Sequence, residues 1–169
     1  MKNYFEILNL PVVFDIDFAQ LDKQYFSLQV VCHPDKANDD EQKELFLGLS
    51  AKINQAYDNI KDEFLRAKTI LQIHGVHFDD ESMKCLLTKE FLRNIFHGFE
   101  QVSINNNAEL LSSMLGEQYL RKKDIISDLK NAFSTNDLDA AASLTACLRY
   151  IDNLTAVIKN KLQSQITFK

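Results

Sequence analysis

Glycine and proline, the residues on which tight turns depend, are scarce in this sequence. There are four glycines and two prolines in 169 residues, whereas 46% of the residues are hydrophobic and 25% are charged. A sheet-rich fold with many hairpins would need more turn residues than this. The composition instead favours a globular protein built from long helices.

The sequence also lacks the features that identify several other classes of protein. No apolar run is long enough to span a membrane, and no basic segment followed by an apolar stretch marks a signal peptide. There is no glycine-rich phosphate loop for ATP and no basic stripe for nucleic acid, and the net charge is −5. We therefore expect no membrane or nucleic-acid partner. The expected location is the bacterial cytoplasm, or the mitochondrial matrix if a leader has been removed.

Three cysteines are present, and their spacing excludes the usual structural uses of thiols. Cys32, Cys85 and Cys147 lie far apart, and no Cys-x-x-Cys pair occurs. An odd number of scattered cysteines supports neither a disulfide framework nor a zinc site. We therefore expect three reduced thiols, no bound metal and no cofactor.

Helix-start signals divide the first 75 residues into four amphipathic segments. Asn3 and Asp17 are each followed three residues later by Glu or Gln, the pattern of a capping box, and each opens a helix. Pro34 ends the second helix, because it has no amide hydrogen to donate. A third helix after a polar loop packs antiparallel on the second, and a fourth, 64–73, ends at Gly75. The apolar stripe predicted for the third helix is Leu45, Leu49, Ile53, Ala56, Tyr57 and Ile60.

The chain beyond residue 87 predicts a second helical bundle. After a poorly periodic connector, 76–87, helices are expected at 88–103, from 106 to about 133, and after residue 136 to about 165. Three helices joined by short loops are typical of a three-helix bundle. The predicted core stripe of the last helix is Leu138, Ala141, Thr145, Leu148, Ile151, Ile158 and Leu162.

The tripeptide His33-Pro34-Asp35 lies in the loop between the two antiparallel helices. Pro34 stiffens the backbone, so that less entropy is lost when a partner binds. Asp35 offers a carboxylate suited to an arginine of that partner, and His33 can donate and accept hydrogen bonds near neutral pH. The alternative is that Pro34 only ends a helix and that its neighbours are ordinary loop residues.

This loop, the short helix beginning Tyr4-Phe5 and the segment 53–57 together resemble the J-domain over residues 2 to 75. The resemblance implies that the loop and the helix before it bind the ATPase domain of a DnaK-type chaperone and stimulate its ATP hydrolysis. The second helix departs from the family pattern, because its only basic residue is Lys23, beside Asp22. Docking is therefore expected to rely less on electrostatic steering. The candidate chaperone-binding residues are His33, Pro34, Asp35, Lys36, Lys23, Gln24, Ser27 and Gln29.

Further stretches are similar to HscB, the J-type co-chaperone of iron–sulfur cluster assembly, and no Gly/Phe-rich segment follows the J-domain. The matching stretches are Asn3-Tyr4-Phe5, Leu65-Arg66-Ala67, Leu71-x-x-His74-Gly75, Glu90-Phe91-Leu92, Asp139-Ala140-Ala141 and Leu148-Arg149-Tyr150-Ile151-Asp152. The resemblance implies two partners. One is an HscA-type chaperone, and the other is the scaffold protein IscU, held by the C-terminal bundle.

The helix that follows Thr88 carries two apolar stripes, where one buried stripe is usual in a small bundle. The first stripe is Phe91, Ile95 and Val102, and the second is Leu92, Phe96 and Phe99. We interpret the second stripe as a binding patch; the alternative is that both are core. The resemblance places the scaffold-binding residues at Leu92, Arg93, Phe96, His97, Glu100 and Tyr150. The family's patch tends to be more acidic than this one, which carries Arg93 and His97. The apolar residues are therefore safer predictions of scaffold contacts than the charged ones.

The sequence therefore predicts an all-α adaptor that is not itself an enzyme. A J-domain, 1–75, presents the loop to the chaperone, and after the connector 76–87 a helical bundle, 88–169, holds the scaffold. Three alternatives stay open. They are a J-protein with a different client, a metal- or cluster-binding protein that uses Cys32, His33 or His74, and a purely structural helical protein.

Overall fold

The computed structural model describes residues 3–77 and 79–167, and within these ranges every regular element is a helix. The prediction of an all-α fold is confirmed. The chain divides into two compact units, residues 1–75 and 76–169.

The first unit contains four α-helices and a short 3-10 turn. An aspartate or asparagine caps each helix by accepting hydrogen bonds from first-turn amides, and the caps of α1 and α2 are the predicted Asn3 and Asp17. Asn3 and Glu6 form a reciprocal capping box. The helices are α1 (Tyr4–Ile7), α2 (Phe18–Val31), α3 (Asp40–Lys61) and α4 (Glu63–Ile73), and the 3-10 turn is Pro34–Lys36.

The predicted apolar stripe of α3 is buried only in the half that leads into α4. Ile53, Ala56 and Ile60 are at most 4% exposed, whereas Leu45 is 58% and Leu49 is 36% exposed. The prediction of a continuous buried stripe is therefore wrong for the N-terminal half of α3. The reason is geometric, because α2 has 14 residues and α3 has 22, and so α2 cannot cover the whole length of α3.

Arg66 is a buried charged residue that joins three segments of the first unit. Its side chain is 4% exposed, and its Nη1 donates hydrogen bonds to the carbonyls of Ile60, at 2.7 Å, and Lys61, at 3.3 Å. Its guanidinium lies 4.8 Å from the ring centroid of Phe14 and 5.7 Å from that of Phe18. Burial lowers the pKa of this guanidinium below its ordinary value. Arg66 thus ties the end of α3 to the segment that leads into α2.

The second unit contains one short and three long helices. They are α5 (Asp80–Cys85), α6 (Lys89–Ile104), α7 (Ala108–Ser134) and α8 (Leu138–Thr167). Helix α5 lies inside the segment predicted as a connector, where six residues are too few to show a helical period. Asp79 and Ser82 form its capping box, and Met83 is 2% exposed.

Two lysines connect the helices of the second unit. Lys122 of α7 donates to the Asp152 carboxylate of α8 at 2.7 Å, and both side chains are largely shielded from solvent. Lys161 of α8 donates to the carbonyls of Val102 and Ser103 at 2.5 and 2.8 Å. These carbonyls lie in the last turn of α6, where a cation satisfies acceptors that the helix leaves unpaired.

The core of this unit is formed mainly along α8, which packs against both α6 and α7. It buries five residues of its predicted stripe, Ala141, Thr145, Leu148, Ile151 and Ile158. It also buries Ala142, Ala146, Leu154 and Thr155, because a helix with two neighbours needs two buried faces. Gly98 permits a close approach of α6, since a Cβ atom there would lie 2.7 Å from a methyl carbon of Leu154.

Replacing Arg66 should destabilise the first unit. We expect Arg66→Met to lower the free energy of unfolding by about 2 kcal/mol, because the carbonyls of Ile60 and Lys61 lose a charged donor in a buried setting. Urea unfolding followed by circular dichroism measures this. Lys43→Met, an exposed site with the same loss of charge, is the control. A difference below about 0.5 kcal/mol between the two variants would contradict the role given to Arg66.

Candidate functional site

The His33-Pro34-Asp35 loop is an exposed, ordered turn at the end of α2. Cys32, the C-cap of α2, is 8% exposed, and the next residues enter the 3-10 turn. His33 caps that turn, because its Nδ1 accepts a hydrogen bond from the Asp35 amide at 3.3 Å. The side chains of His33 and Asp35 are 56% and 87% exposed. Both groups are therefore accessible to a partner.

The hydrogen bond in this turn determines what His33 and Asp35 offer. A neutral imidazole that accepts at Nδ1 carries its hydrogen on Nε2, which leaves one ring donor for a partner. The Asp35 carboxylate lies 3.6 Å from Nδ1, so a protonated ring would exchange the amide bond for an ion pair with Asp35. With a neutral ring the turn presents one donor and one carboxylate side by side. That arrangement is suited to a guanidinium and a neighbouring acceptor on another protein.

Polar contacts between α2 and α3 hold the loop in place. The Tyr25 hydroxyl donates to the Asn54 side chain at 2.9 Å, and the Tyr57 hydroxyl donates to the Asp22 carboxylate at 2.8 Å. The two tyrosine rings lie 4.2 Å apart between centroids. Tyr57 belongs to the predicted apolar stripe of α3, and Tyr25 has the same helical spacing in α2, four positions after Leu21. The tyrosine hydroxyls reach the polar edge of the hairpin. In the sequence, only the facing residues Asn54 and Asp22 could have indicated that these hydroxyls are hydrogen-bonded.

The predicted chaperone-binding residues of α2 have different surroundings. Lys23 and Ser27 are exposed and Gln24 is half-buried, as a surface role requires. The Gln29 amide instead donates to Asn54 at 2.5 Å and accepts from the Ser50 hydroxyl at 2.7 Å. Gln29 therefore bonds to α3, while the exposed residues stay predictions.

The second apolar stripe of α6 is neither wholly core nor wholly surface. Phe96 is 59% exposed and Leu92 is half-buried. Phe99 packs against the buried cluster that contains Ile95 and Ile151. The reading of this stripe as entirely core thus conflicts with the exposure of Phe96. We call Leu92 and Phe96, the two residues of this stripe that lie toward solvent, the exposed flank of α6.

The predicted scaffold-binding set also contains Tyr150 and three charged residues, in addition to Leu92 and Phe96. Tyr150 is half-buried and packs against the same core cluster, although sequence periodicity places it off the core stripe. Arg93, His97 and Glu100 are exposed on α6. The Nδ1 of His97 lies 3.7 Å from the Glu100 carboxylate, one turn along the helix, and pairs with it when the ring is protonated.

The thiols differ in accessibility. Cys32 is buried, Cys85 is exposed, and Cys147 is half-buried. Burial raises the pKa of the Cys147 thiol to about 11. Across residues 3–77 and 79–167, no group of three or more His, Cys, Asp and Glu side chains is arranged to hold a metal ion. In the same ranges no helix is both long and apolar enough to span a bilayer.

Comparison with known proteins identifies relatives along nearly the whole chain. Residues 87–159 match the family model described as the HSCB C-terminal oligomerisation domain. A co-chaperone protein HscB homolog of Haemophilus ducreyi is 32% identical over 167 residues, which cover 94% of this chain and 95% of that protein. A homolog of the same description from Colwellia psychrerythraea is 32% identical over 166 residues, covering 90% and 86%.

Solved structures of the same description share the fold. The crystal structure of human co-chaperone HscB matches with a TM-score of 0.88 at 22% identity, covering 95% of this chain and 82% of that one. Chaperone HscB from Vibrio cholerae matches with a TM-score of 0.82 at 23% identity, covering 98% and 99%. This likeness confirms the predicted architecture of an all-α J-domain followed by a C-terminal helical bundle.

The thiols should differ in reactivity as they differ in burial. The thiolate is the reactive form, and a pKa of about 11 leaves roughly one Cys147 thiol in a thousand ionised at pH 8. We expect one fast thiol, Cys85, in a reaction with Ellman's reagent, and a Cys147 rate that rises about tenfold per pH unit up to its pKa. Cys85→Ser should remove the fast phase, and Cys147→Ser should leave it intact. Equal rates at all three cysteines would contradict this order.

Proposed function

The chain belongs to the HscB family of co-chaperones, and on that basis we propose that it stimulates ATP hydrolysis by an HscA- or DnaK-type chaperone and delivers the iron–sulfur scaffold protein IscU to it. The observation that carries the proposal is the exposed pair of His33 and Asp35 on a proline-stiffened turn. The relatives are described as co-chaperones, and so the hydrolysis is assigned to the partner. The protein then aids cluster maturation and transfer without catalysis of its own.

In this proposal the first unit acts through presentation of the turn. The 3-10 turn fixes the spacing of His33 and Asp35, and Pro34 removes backbone freedom that docking would otherwise remove. The Asp35 carboxylate, which is almost fully exposed, accepts charge-assisted bonds from an arginine of the ATPase domain. Lys36, Lys23, Gln24 and Ser27 form the surroundings of the contact, while Gln29 supports it from within the hairpin.

The second unit is proposed to hold the scaffold through the exposed flank of α6. Phe96 offers an aromatic side chain with little to cover it, and Leu92 adds apolar area one turn away. Tyr150 contributes from α8, and its packing against the core fixes its ring. Arg93, His97 and Glu100, all exposed on α6, are proposed to form a rim of mixed charge around these contacts. The segment 76–87 is proposed to connect this binding bundle, 88–169, to the J-domain, 1–75.

Loss of the Asp35 charge should abolish stimulation of the chaperone. Steady-state ATP hydrolysis by an HscA-type chaperone should rise on adding this protein and rise further with IscU, and Asp35→Asn should remove at least about nine-tenths of the stimulation. The exposed site should leave the fold intact. Glu41→Gln, exposed in the first turn of α3, is the control for the same charge change. Stimulation that does not change when IscU is added would indicate another client. Absence of stimulation with any DnaK-type chaperone would refute the proposal.

Variants at Phe96 and Tyr150 should separate effects on IscU affinity from effects on the stability of the fold. Phe96→Ala should weaken IscU binding about tenfold in calorimetry and shift the Tm by less than about 2 °C, because the side chain is mostly exposed. Tyr150→Ala should lower both the affinity and the Tm, since its ring packs on the core. Phe99→Ala, a core contact on the same helix, should lower the Tm with less effect on affinity. Unchanged affinity in Phe96→Ala would remove this flank from the scaffold site.

A further inference from the structure

The face of α2 that lies away from α3 carries large apolar side chains in solvent. Phe26 is 63%, Val30 is 57% and Val31 is 64% exposed. On the opposite side of the helix Leu21 is fully buried, and Tyr25 bonds to α3. Isolated exposed apolar residues are common, but Phe26 and Val30 lie on one helical face and Val31 borders it, and such a group is a feature of interaction surfaces.

The helical spacing makes these residues one surface. Val30 follows Phe26 by four positions, so that the two side chains lie one above the other. Lys23 and Ser27, two of the predicted chaperone contacts, fall on the same face. Val31 is separated from His33 only by the C-cap Cys32, and the surface therefore continues into the His33-Pro34-Asp35 turn. We call Phe26, Val30 and Val31 the α2 apolar patch.

Little charge accompanies this patch. Within α2, which the structure describes in full, the charged residues are Asp22 and Lys23, and the last turn holds no basic residue. The Asp22 carboxylate accepts a hydrogen bond from Tyr57 of α3. Of the two charged residues of α2, Lys23 is thus the one on the exposed face. A partner surface of strongly acidic character would gain little from this helix.

Phe26 is also held before any partner arrives. Its ring meets the edge of the Tyr25 ring at a centroid distance of 5.3 Å, and Tyr25 in turn packs on Tyr57 and bonds to Asn54. A side chain fixed in this way loses less entropy on binding than a free one.

We propose that the α2 apolar patch docks onto an apolar surface of the partner chaperone's ATPase domain, and that it does so in place of an electrostatic contact. The inference rests on the proposed function, because the occupant is chosen from the continuity of the patch with the loop assigned to that domain. Apolar contacts carry no charge for salt to screen, whereas the attraction between exposed charges is largely screened beyond a Debye length of about 8 Å at physiological ionic strength. The concentration that gives half-maximal stimulation should therefore vary little with salt.

Two variants test the patch in the full-length protein against an HscA-type chaperone. The double variant Phe26→Ser/Val30→Ser should raise the half-maximal concentration about tenfold at both 50 and 300 mM KCl, with the maximal stimulation unchanged. The wild type should shift less than about twofold between these salts. The matched control, Leu120→Ser/Val157→Ser, removes two exposed apolar side chains of the second unit and should behave as the wild type.

A second variant distinguishes an apolar interface from a charged one by the direction in which it shifts the half-maximal concentration. Val30→Lys should raise the half-maximal concentration, since a charge would enter an apolar contact. If the partner's surface were acidic, the same change would lower that concentration at low salt, and this result would overturn the proposal.

The outcomes separate this inference from the proposed function. If Asp35→Asn loses stimulation while Phe26→Ser/Val30→Ser matches the wild type, the loop function stands and the apolar patch is overturned. If the wild type stimulates no chaperone, both fail. If light scattering shows that the wild type is a dimer and the double variant a monomer, the patch binds a second copy of this chain and the proposal is overturned.

Discussion

The buried guanidinium of Arg66 is the contact on which the geometry of the first unit depends. It satisfies the carbonyls of Ile60 and Lys61 where α3 ends, and it lies over the rings of Phe14 and Phe18 where α2 begins. A charge removed from water is tolerated only when it is hydrogen-bonded, so the two segments must meet where the guanidinium can reach both. The start of α2 is thereby fixed against the end of α3. The exposed turn lies at the opposite end of α2.

The same helix pair leaves the outer face of α2 exposed. Tyr25 and Gln29 direct their polar groups to Asn54, and these contacts set α2 against α3 without using the outer face. What remains outside is the α2 apolar patch and the turn. In the second unit, α6 packs on α8 through Ile95, and Phe96 lies on the flank of α6 that this packing does not bury. Each proposed binding surface is thus the unburied side of a helix whose other side is fixed in a core.

Local chemistry predicts much of this from the sequence, because caps and stops act within a few residues. Asn3, Asp17 and Thr88 begin helices where their side chains accept first-turn amides, and Pro34 ends α2. The features that were not predicted depend on lengths and neighbours distant in the sequence. Leu45 has the spacing of a core residue but no helix covers it. The buried face of α8 with Leu154, and the commitment of Gln29 to α3, depend likewise on which helices become adjacent.

Helix α2 carries little charge with which to select a partner. Charge complementarity accelerates encounter and rejects wrong partners, but the charge of α2 is limited to Asp22 and Lys23, and Asp22 is bonded within the hairpin. Specificity must then come from shape and from the spacing of groups that are rigid before binding. The 3-10 turn fixes the backbone at Asp35, and the Tyr25 ring contacts the Phe26 ring. In the proposed complex, preorganisation of both would reduce the entropy lost on docking and would replace some of the affinity that a basic helix provides.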